Sequence, residues 1–335
     1  YMHGNIKGAF LSDTDTTNAT DSQKVNWNNG SDTSGTYGGT TAASVTVVSN
    51  TTITITAASG GYAYYDVGFT PVSGKKYVAT LTGSNYSGSN PYGLSTGSGF
   101  SINMRRTSNG TVGPEVMTSA GSAIPIFVGN SVTVTVELTI YELVEEDRSV
   151  HNNGLAVYGT ITKSAVATGA DLVAYSNFNS ANRLSTYYSD IDFGSSPNAT
   201  ICFTSWVKQS NTADYSYIMS IQDGDTSSSI GMAVDTGTGN LYVYDGTVFN
   251  SSSTNITDGY WHHCVGIING SNILAYVDGR EVLNTTTASP AAATAIDRFH
   301  IGHYRSGSNL LYHCRGSLAL SRISKSIPSP EQIKK

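Results

Sequence analysis

The chain has 335 residues, a formal net charge of −6 and only 13% charged residues. This length allows two or three domains that each bury a core. Because no run of Lys or Arg exceeds two residues and no apolar run reaches the roughly 18 residues of a spanning helix, we expect neither nucleic-acid binding nor membrane insertion.

Short runs of alternating β-branched and aromatic residues recur along the chain and are separated by Gly, Asn, Asp and Ser. This period-two pattern, with almost no helical periodicity, predicts an all-β protein made of two tandem antiparallel β-sandwiches. The three cysteines, Cys202, Cys264 and Cys314, are odd in number and widely spaced, so we expect free, buried thiols rather than a disulfide framework.

The N-terminal part of the chain divides into a polar segment and a predicted sandwich. Residues 1–24 show no sustained strand pattern and are expected to form an extended leader or the end of a preceding domain. Residues 25–144 carry the strand patterns of a jelly-roll-type sandwich, and in Val132–Tyr141 the alternation predicts one buried and one solvated face. The stretches Gly83–Gly99 and Ser108–Ser122 are predicted to be long loops, the usual place for recognition.

Residues 145–154 hold the densest charge in the chain and are predicted to be a linker between domains. The carboxylates of Glu145, Glu146 and Asp147 are adjacent in sequence and point apart in an extended chain. They are therefore expected to be solvated rather than to form a catalytic acid/base pair.

Residues 155–335 carry the strongest turn signals. Asp245-Gly246, Asn269-Gly270 and Asp278-Gly279 each stand between β-prone runs, which is the typical signature of a β-hairpin. Near the end, Ser329 as N-cap, Pro330 at the first helical position and Gln332 at the third predict one short helix.

Several segments in this region carry a family resemblance. They are Asp190-Ile-Asp-Phe-Gly194, Ile201-Cys-Phe-Thr-Ser-Trp206-Val-Lys208, Gly259-Tyr-Trp261-His262-His263-Cys264-Val265, Leu274-Ala-Tyr-Val-Asp278-Gly279 and Arg315-Gly-Ser-Leu-Ala-Leu-Ser-Arg-Ile323. In this order they resemble the laminin-G-like, concanavalin A-like jelly roll over about residues 171–333. The resemblance implies a binding module for glycans or proteins, in some members with calcium at the rim.

The order of the parts supports a second, looser resemblance. A Ser/Thr/Gly-rich sandwich, a charged linker and a C-terminal jelly roll together resemble phage tail-fibre and appendage proteins. This resemblance implies a virion location, assembly into a homo-oligomer such as a trimer, contacts with other virion proteins and binding to host surface polysaccharide. A secreted or cell-surface location is the alternative, and a purely structural spacer or decoration protein is the alternative function.

Tyrosines at period two are the candidate glycan-binding residues. Tyr215 with Tyr217, and Tyr242 with Tyr244, place pairs of rings on one sheet face, where the C–H faces of sugars can pack. Core packing is the competing interpretation of the same pattern. Asp223 and Asp225 lie in a Ser-rich loop between them and are the candidate glycan and calcium ligands, with ordinary turn-forming Asp as the alternative.

Two further site types are weighed and not expected. His262 and Cys264 lie two residues apart on a strand and could share a zinc ion, but the resembling family carries the same pattern without zinc. The alternating acids Asp190/Asp192 and Asp223/Asp225 lack the Glu-x-Asp form of concanavalin-type glucanases, and no nucleophile motif is present. We therefore expect that the protein is not an enzyme, and a polysaccharide depolymerase is the third alternative for its function.

Overall fold

The computed structural model describes residues 6–10, 15–94, 104–122, 124–145, 154–170, 172–191, 200–210, 213–222, 229–287, 296–306 and 309–334. The chain forms two compact units: an N-terminal unit, Ser22–Leu143, and a C-terminal unit that combines Tyr1–Asp21 with Val144–Lys335. Within the described ranges, no helix has the length and apolar content needed to cross a bilayer.

Almost all regular structure in these ranges is β-strand. Before and within the N-terminal unit the strands are β1 (Ile6–Phe10), β2 (Ala19–Thr20), β3 (Ala42–Val47), β4 (Thr52–Ala57), β5 (Ala63–Asp66), β6 (Lys76–Ser87), β7 (Tyr92–Leu94), β8 (Arg105–Arg106), β9 (Gly110–Thr118), β10 (Pro125–Val128) and β11 (Thr133–Glu145). After it come β12 (Leu155–Tyr158), β13 (Thr160–Ala165), β14 (Val173–Ser176), β15 (Arg183–Ile191), β16 (Thr200–Lys208), β17 (Ser216–Gln222), β18 (Ser229–Val234), β19 (Asn240–Tyr244), β20 (Phe249–Asn255), β21 (Trp261–Asn269), β22 (Asn272–Val277), β23 (Arg280–Thr286), β24 (Ile296–Ile301), β25 (Tyr304–Ser306), β26 (Asn309–Leu311) and β27 (Ser317–Ser324). A single 3₁₀ turn, Trp27–Asn29, and one short helix, α1 (Pro330–Ile333), complete the described elements.

The N-terminal unit is a β-sandwich built around the alternation that the sequence predicts for its last strand. Strand β11 pairs antiparallel with both β4 and β6, while β5, β10, β7 and β8 form the second sheet. Val134, Val136 and Leu138 of β11 are fully buried in its core, together with Trp27. The alternating face of β11 is therefore the core face, as expected.

The two stretches predicted as long loops in this unit contain strands, so that prediction is wrong. The last part of β6, up to Ser87, and the whole of β7 lie within Gly83–Gly99. β9 occupies most of Ser108–Ser122 and pairs antiparallel with β6. Gly and Asn interrupt the side-chain alternation here, but they do not prevent the backbone ladder with β6. The hydroxyls of Thr82 and Thr111 face each other across it at 2.9 Å.

The C-terminal unit is an antiparallel sandwich of two large sheets. The back sheet has the strand order β2-β13-β14-β27-β16-β21-β22-β23, with β1 also paired to β27. The front sheet runs β20-β19-β18-β17-β24-β15-β12. Apolar side chains from both sheets, such as Phe203 and Val207 opposite Ile218 and Met232, share one buried core.

Residues 1–24, for which an extended leader was expected, contribute β1 and β2 to the back sheet. Their pairing partners, β27 and β13, lie about 140 or more residues further along the chain. Short polar strands that complete a distant sheet edge carry little local pattern, which is why they look like a leader in the sequence.

The local turn and capping signals of this unit are confirmed. Asp278 and Gly279 both have positive φ, 51° and 79°, as a two-residue type I′ hairpin turn between β22 and β23 requires. In α1 the Ser329 hydroxyl accepts from the Gln332 N–H, and the Gln332 side chain accepts from the Ser329 N–H at 2.8 Å. This reciprocal pair is the predicted capping box.

Candidate functional site

The exterior face of the front sheet carries a second buried layer besides the sandwich core. Along β17 the side chains of Ile218 and Ile221 enter the core, whereas Tyr217 lies on the opposite face. Every residue of β17 is nevertheless buried. Other side chains must therefore cover the exterior face of β17, and these side chains are aromatic.

Seven aromatic rings pack together on this face, and we call them the aromatic cluster. Tyr217 forms its centre, with the Tyr304 ring centroid 4.5 Å away and the Tyr242 ring edge-on at 5.9 Å. The Tyr312 ring stacks on Tyr217 at 6.2 Å. The cluster comprises Tyr215, Tyr217, Tyr242, Tyr244, Phe249, Tyr304 and Tyr312.

The four predicted site tyrosines are brought together, but only two of them reach the surface. Tyr217 and Tyr242 are each 1% exposed, so the expectation that they present their rings to a ligand is corrected. Tyr215 and Tyr244 are half-buried. Period two places all four rings on one face, and Tyr217 is in addition covered by Tyr304 and Tyr312, about ninety residues further along the chain.

The surface-exposed part of the cluster is a three-ring stack that we call the aromatic platform: Tyr215, Phe249 and Tyr244. Phe249 is 50% exposed. Its ring is nearly parallel to Tyr244, at 4.5 Å and 21°, and to Tyr215, at 5.5 Å and 13°. A half-exposed phenylalanine held between two tyrosines is a residue that sequence reasoning missed, because Phe249 begins a predominantly polar strand, β20.

A buried carboxylate fixes the turn that carries Phe249. Asp245 is fully buried, and its Oδ1 accepts hydrogen bonds from the N–H groups of Thr247 (2.8 Å) and Val248 (2.7 Å) and from the Thr247 hydroxyl (3.0 Å). Its Oδ2 accepts from the Asn250 side chain at 3.2 Å. Both carboxylate oxygens therefore accept hydrogen bonds from the turn and its first flanking residues, and the turn preorganises the platform for binding.

The hydroxyls of Tyr217, Tyr242 and Tyr244 are neutral at physiological pH. Burial raises the pKa of the Tyr217 and Tyr242 hydroxyls far above 10. Burial, with smaller contributions from Tyr304 and Asp245, also raises the pKa of Tyr244. The Tyr244 hydroxyl donates to the Gly246 carbonyl at 3.0 Å. The rings can thus offer apolar faces and neutral hydroxyls, but no charge.

The same sheet face continues into a buried polar region. Arg298 and His300 of β24 alternate with the core residues Phe299 and Ile301, and they are 5% and 2% exposed. The Ser185 hydroxyl lies 2.9 Å from His300 Nδ1. Sequence analysis did not single out Arg298, although the alternation in β24 would have placed it beside His300 on the face opposite the core.

The two acidic residues predicted as glycan and calcium ligands lie on the segment between β17 and β18. Asp223 and Asp225, the calcium candidates, lie outside the described residues. Among the residues that are described, no group of three or more His, Cys, Asp or Glu side chains is arranged to hold a metal ion.

His262 and Cys264, the zinc alternative, are directed to different surroundings. Cys264 is buried in the sandwich core. The His262 ring instead contacts Asp278 Oδ2 through Nδ1 at 2.7 Å and Asp258 Oδ1 through Nε2 at 2.9 Å. Burial opposes protonation of His262, but the two carboxylates outweigh it and raise the imidazole pKa.

All three cysteines are free and buried, as predicted. Burial raises the pKa of the Cys202 thiol to about 12 and that of Cys314 to about 11, and it raises the pKa of Cys264 as well. The reactive thiolate form is therefore scarce at neutral pH, and these side chains act as small apolar core residues.

A two-sheet antiparallel sandwich with this strand order is a lectin-type jelly roll. Residues 183–334 match the family described as the concanavalin A-like lectin/glucanases superfamily, and this part of the chain is a domain of that superfamily. A search of curated proteins finds none that matches the chain.

Solved structures that resemble the chain do so at low sequence identity. Domain 4 of an extracellular arabinanase from Geobacillus stearothermophilus, in complex with arabinotriose, is 13% identical with a TM-score of 0.43, covering 56% of this chain and 90% of that one. A sialidase CBM40 from Ruminococcus gnavus, bound to sialyllactose, is 10% identical with a TM-score of 0.35, covering 44% and 95%. A putative carbohydrate binding protein from Bacteroides ovatus is 11% identical with a TM-score of 0.35, covering 84% and 78%.

Proposed function

We propose that the C-terminal unit binds carbohydrate on its aromatic platform and does not cleave it. The observation that carries this proposal is the half-exposed ring of Phe249, stacked between Tyr215 and Tyr244 on a turn that the buried Asp245 carboxylate holds rigid. The membership of residues 183–334 in a lectin and glucanase superfamily supports a carbohydrate ligand.

The chemistry of the platform favours uncharged sugars. The C–H face of a pyranose or furanose ring packs on an aromatic ring, and neutral side chains at the edge can bind the hydroxyls. Because few polar groups fix the orientation of the ligand, we expect single-site dissociation constants on the order of micromolar to millimolar.

The absence of hydrolysis is part of the proposal. A glycosidase needs two carboxyl groups on opposite sides of the scissile bond, roughly 5 to 9.5 Å apart. The carboxylate beside the platform, Asp245, is fully buried and accepts four hydrogen bonds within its own turn. It therefore supports a binding surface rather than acid/base chemistry.

We place this activity in a fibre or appendage protein of a virus particle that attaches to host surface polysaccharide. The sequence order of a Ser/Thr/Gly-rich sandwich, a charged stretch and a C-terminal jelly roll, which resembles that of phage appendage proteins, supports this setting. Self-assembly, for example into a trimer, would give avidity to weak single sites. Sequencing the genes on either side tests the setting: tail or portal genes are expected, and their absence would favour a secreted or cell-surface protein.

A glycan array probed with the purified chain tests the binding itself. We expect the wild type to bind neutral glycans and the variants Phe249→Ala and Tyr215→Ala to lose this binding. The melting temperature of Tyr215→Ala should stay within a few degrees of that of the wild type. The matched control is Tyr260→Ala, which removes a 73% exposed tyrosine away from the platform and should bind normally. No binding by the wild type would favour a structural spacer, and release of reducing ends from host polysaccharide would identify a depolymerase.

A further inference from the structure

Two of the three tryptophans in the chain lie on the exterior face of the back sheet, away from the platform. Trp206 of β16 is 38% exposed, although its neighbour Val207 is fully buried in the core. Trp206 pairs in register with His263 of β21, and their rings are 5.4 Å apart. Two residues along the same strand, Lys208 pairs with Trp261.

These tryptophans line an apolar groove of about 320 Å³. Its walls are Val166, Leu172, Trp206, Trp261, Ala319 and Leu320. The Trp261 Nε1–H donates to the Val166 carbonyl at 3.1 Å, which uses the only donor of the indole and fixes the ring as a wall. The groove therefore offers ring faces and aliphatic carbons to a ligand.

One wall of the groove is built at a cost in backbone conformation. Leu320 has φ of 51°, in the left-handed region that branched, bulky residues disfavour. It lies at a β-bulge, where the register of β27 with β16 shifts between Thr204 and Trp206. Bulges re-aim side chains, and strained residues of this kind concentrate at binding sites.

A second, polar cavity of about 740 Å³ adjoins the groove, and Val166 and Trp261 line both. Its lining includes Lys208, His313 and Arg315. Both volumes fall in the range of small-ligand pockets, roughly 300 to 1,000 Å³. The two cavities thus form one continuous surface that is apolar at one end and polar at the other.

The polar end carries positive charge in a chain of net charge −6. Lys208 is exposed and forms no ion pair with any described residue. Arg315 lies 3.5 Å from Asp214, and both side chains are about 40% exposed, so this surface pair is weak and leaves guanidinium donors accessible. Burial, with Arg315 and Arg183, lowers the pKa of His313, which keeps that ring neutral near pH 7.

We propose that this surface is a second binding site, specific for uronic-acid-containing oligosaccharides. One sugar ring packs on the indole faces of Trp206 and Trp261, and the carboxylate of the same or the next sugar is bound by Lys208 and Arg315. Residues two apart on a strand lie about 7 Å from each other, so Trp206 and Lys208 can contact neighbouring parts of one saccharide. Trp206, Lys208 and Trp261 lie on the back sheet, whereas Tyr244 and Phe249 of the platform lie on the front sheet.

Titration of the full chain with a defined galacturonic acid hexamer tests the proposal, and the fully methyl-esterified hexamer serves as the neutral control. We expect the acid to bind, to change tryptophan fluorescence and to lose affinity as salt is raised, while the ester binds about tenfold or more weakly. Lys208→Gln should reduce affinity for the acid by about tenfold. Lys75→Gln, which removes an exposed lysine of the other unit, is the matched control and should bind normally.

Three outcomes would overturn the proposal. The first is equal binding of acid and ester, and the second is unchanged affinity in Lys208→Gln. The third is absence of uronate binding by the wild type; if Trp206→Ala then also lowers the oligomeric mass of the protein, the groove is a contact between copies of the chain. Trp206→Phe guards against misfolding, because it keeps an aromatic wall and should retain weaker binding. Phe249→Ala separates the two sites, since it should leave galacturonate binding intact.

Discussion

Replacing Tyr242 with alanine tests whether the aromatic cluster is a second core rather than a set of ligand contacts. Tyr242 is 1% exposed, with neighbouring ring centroids at 5.7 Å for Tyr215, 5.9 Å for Tyr217 and 5.5 Å for Phe249. Truncating a fully buried aromatic side chain typically lowers the free energy of unfolding by about 3 to 5 kcal/mol. For a unit of this size that corresponds to a melting temperature lower by about 10 °C.

Phe249→Ala provides the comparison within the same cluster. A fully buried Phe contributes about 1.5 to 3 kcal/mol, and a half-exposed one about half of that, to which its ring stacking adds up to about 1 kcal/mol. We therefore expect Phe249→Ala to cost about 1 to 2 kcal/mol, well below Tyr242→Ala.

Urea unfolding followed by near-ultraviolet circular dichroism, a signal that is lost when aromatic side chains lose their fixed packing, measures both changes. The expected order is a large loss of stability in Tyr242→Ala and a small one in Phe249→Ala, with loss of glycan binding in Phe249→Ala. If Tyr242→Ala were no less stable than Phe249→Ala, the Tyr242 ring would not be buried among Tyr215, Tyr217 and Phe249 in solution, and the distinction between core and platform would fail.

Further predictions concern the groups that support the fold. Asp245→Ala should lower the free energy of unfolding by about 1 to 3 kcal/mol and weaken platform binding, because buried donors lose their acceptor. Asp235→Ala, which removes a solvent-exposed hydrogen bond from the Thr238 hydroxyl, should change the free energy of unfolding by less than about 1 kcal/mol, and chemical denaturation compares the two variants. Because the folded pKa of His262 is raised, its protonated form stabilises the fold below about pH 6.5, and this stabilisation is lost as the pH rises through the folded pKa. Between pH 6 and 8 the free energy of unfolding of the wild type should therefore fall by a fraction of a kcal/mol relative to that of His262→Gln. The effect is small because the carboxylates paired with His262 are half exposed. Parallel pH profiles of the two proteins would contradict this prediction. Cys202, Cys264 and Cys314 should react with a thiol reagent only after urea unfolding, so rapid labelling of the native protein would refute their burial.

Features encoded by adjacent residues could be predicted from the sequence. The alternation in β11, the Asp278-Gly279 turn and the Ser329 capping box each depend on fewer than about ten neighbouring residues, and each is present in the fold. The order of the motifs between Asp190 and Ile323 also indicates the concanavalin A-like domain, and the family match over residues 183–334 confirms it.

Features that depend on distant residues could not be predicted in this way. Tyr217 and Tyr244 follow the same period-two pattern, yet one is buried and the other is half-exposed, because Tyr304 packs at 4.5 Å from Tyr217 but at 6.3 Å from Tyr244. Phe249 gains its role from a stack with Tyr215, which lies 34 residues earlier in the chain. Alternation assigns a side chain to a sheet face, but burial depends on what the rest of the chain places over that face.

The pairing of β1 with β27 has a consequence for biosynthesis. Phe10 lies opposite Ser321, so β1 leaves the ribosome long before the strand that completes its ladder. At about 5 to 20 residues per second, translation of the intervening chain takes roughly 15 to 60 s. During that interval the polypeptide between them, including Ser22–Leu143, is already free to fold. An expression clone that starts at residue 144 would therefore leave the edge of β27 open, and adding residues 1–21 in trans as a peptide should restore it.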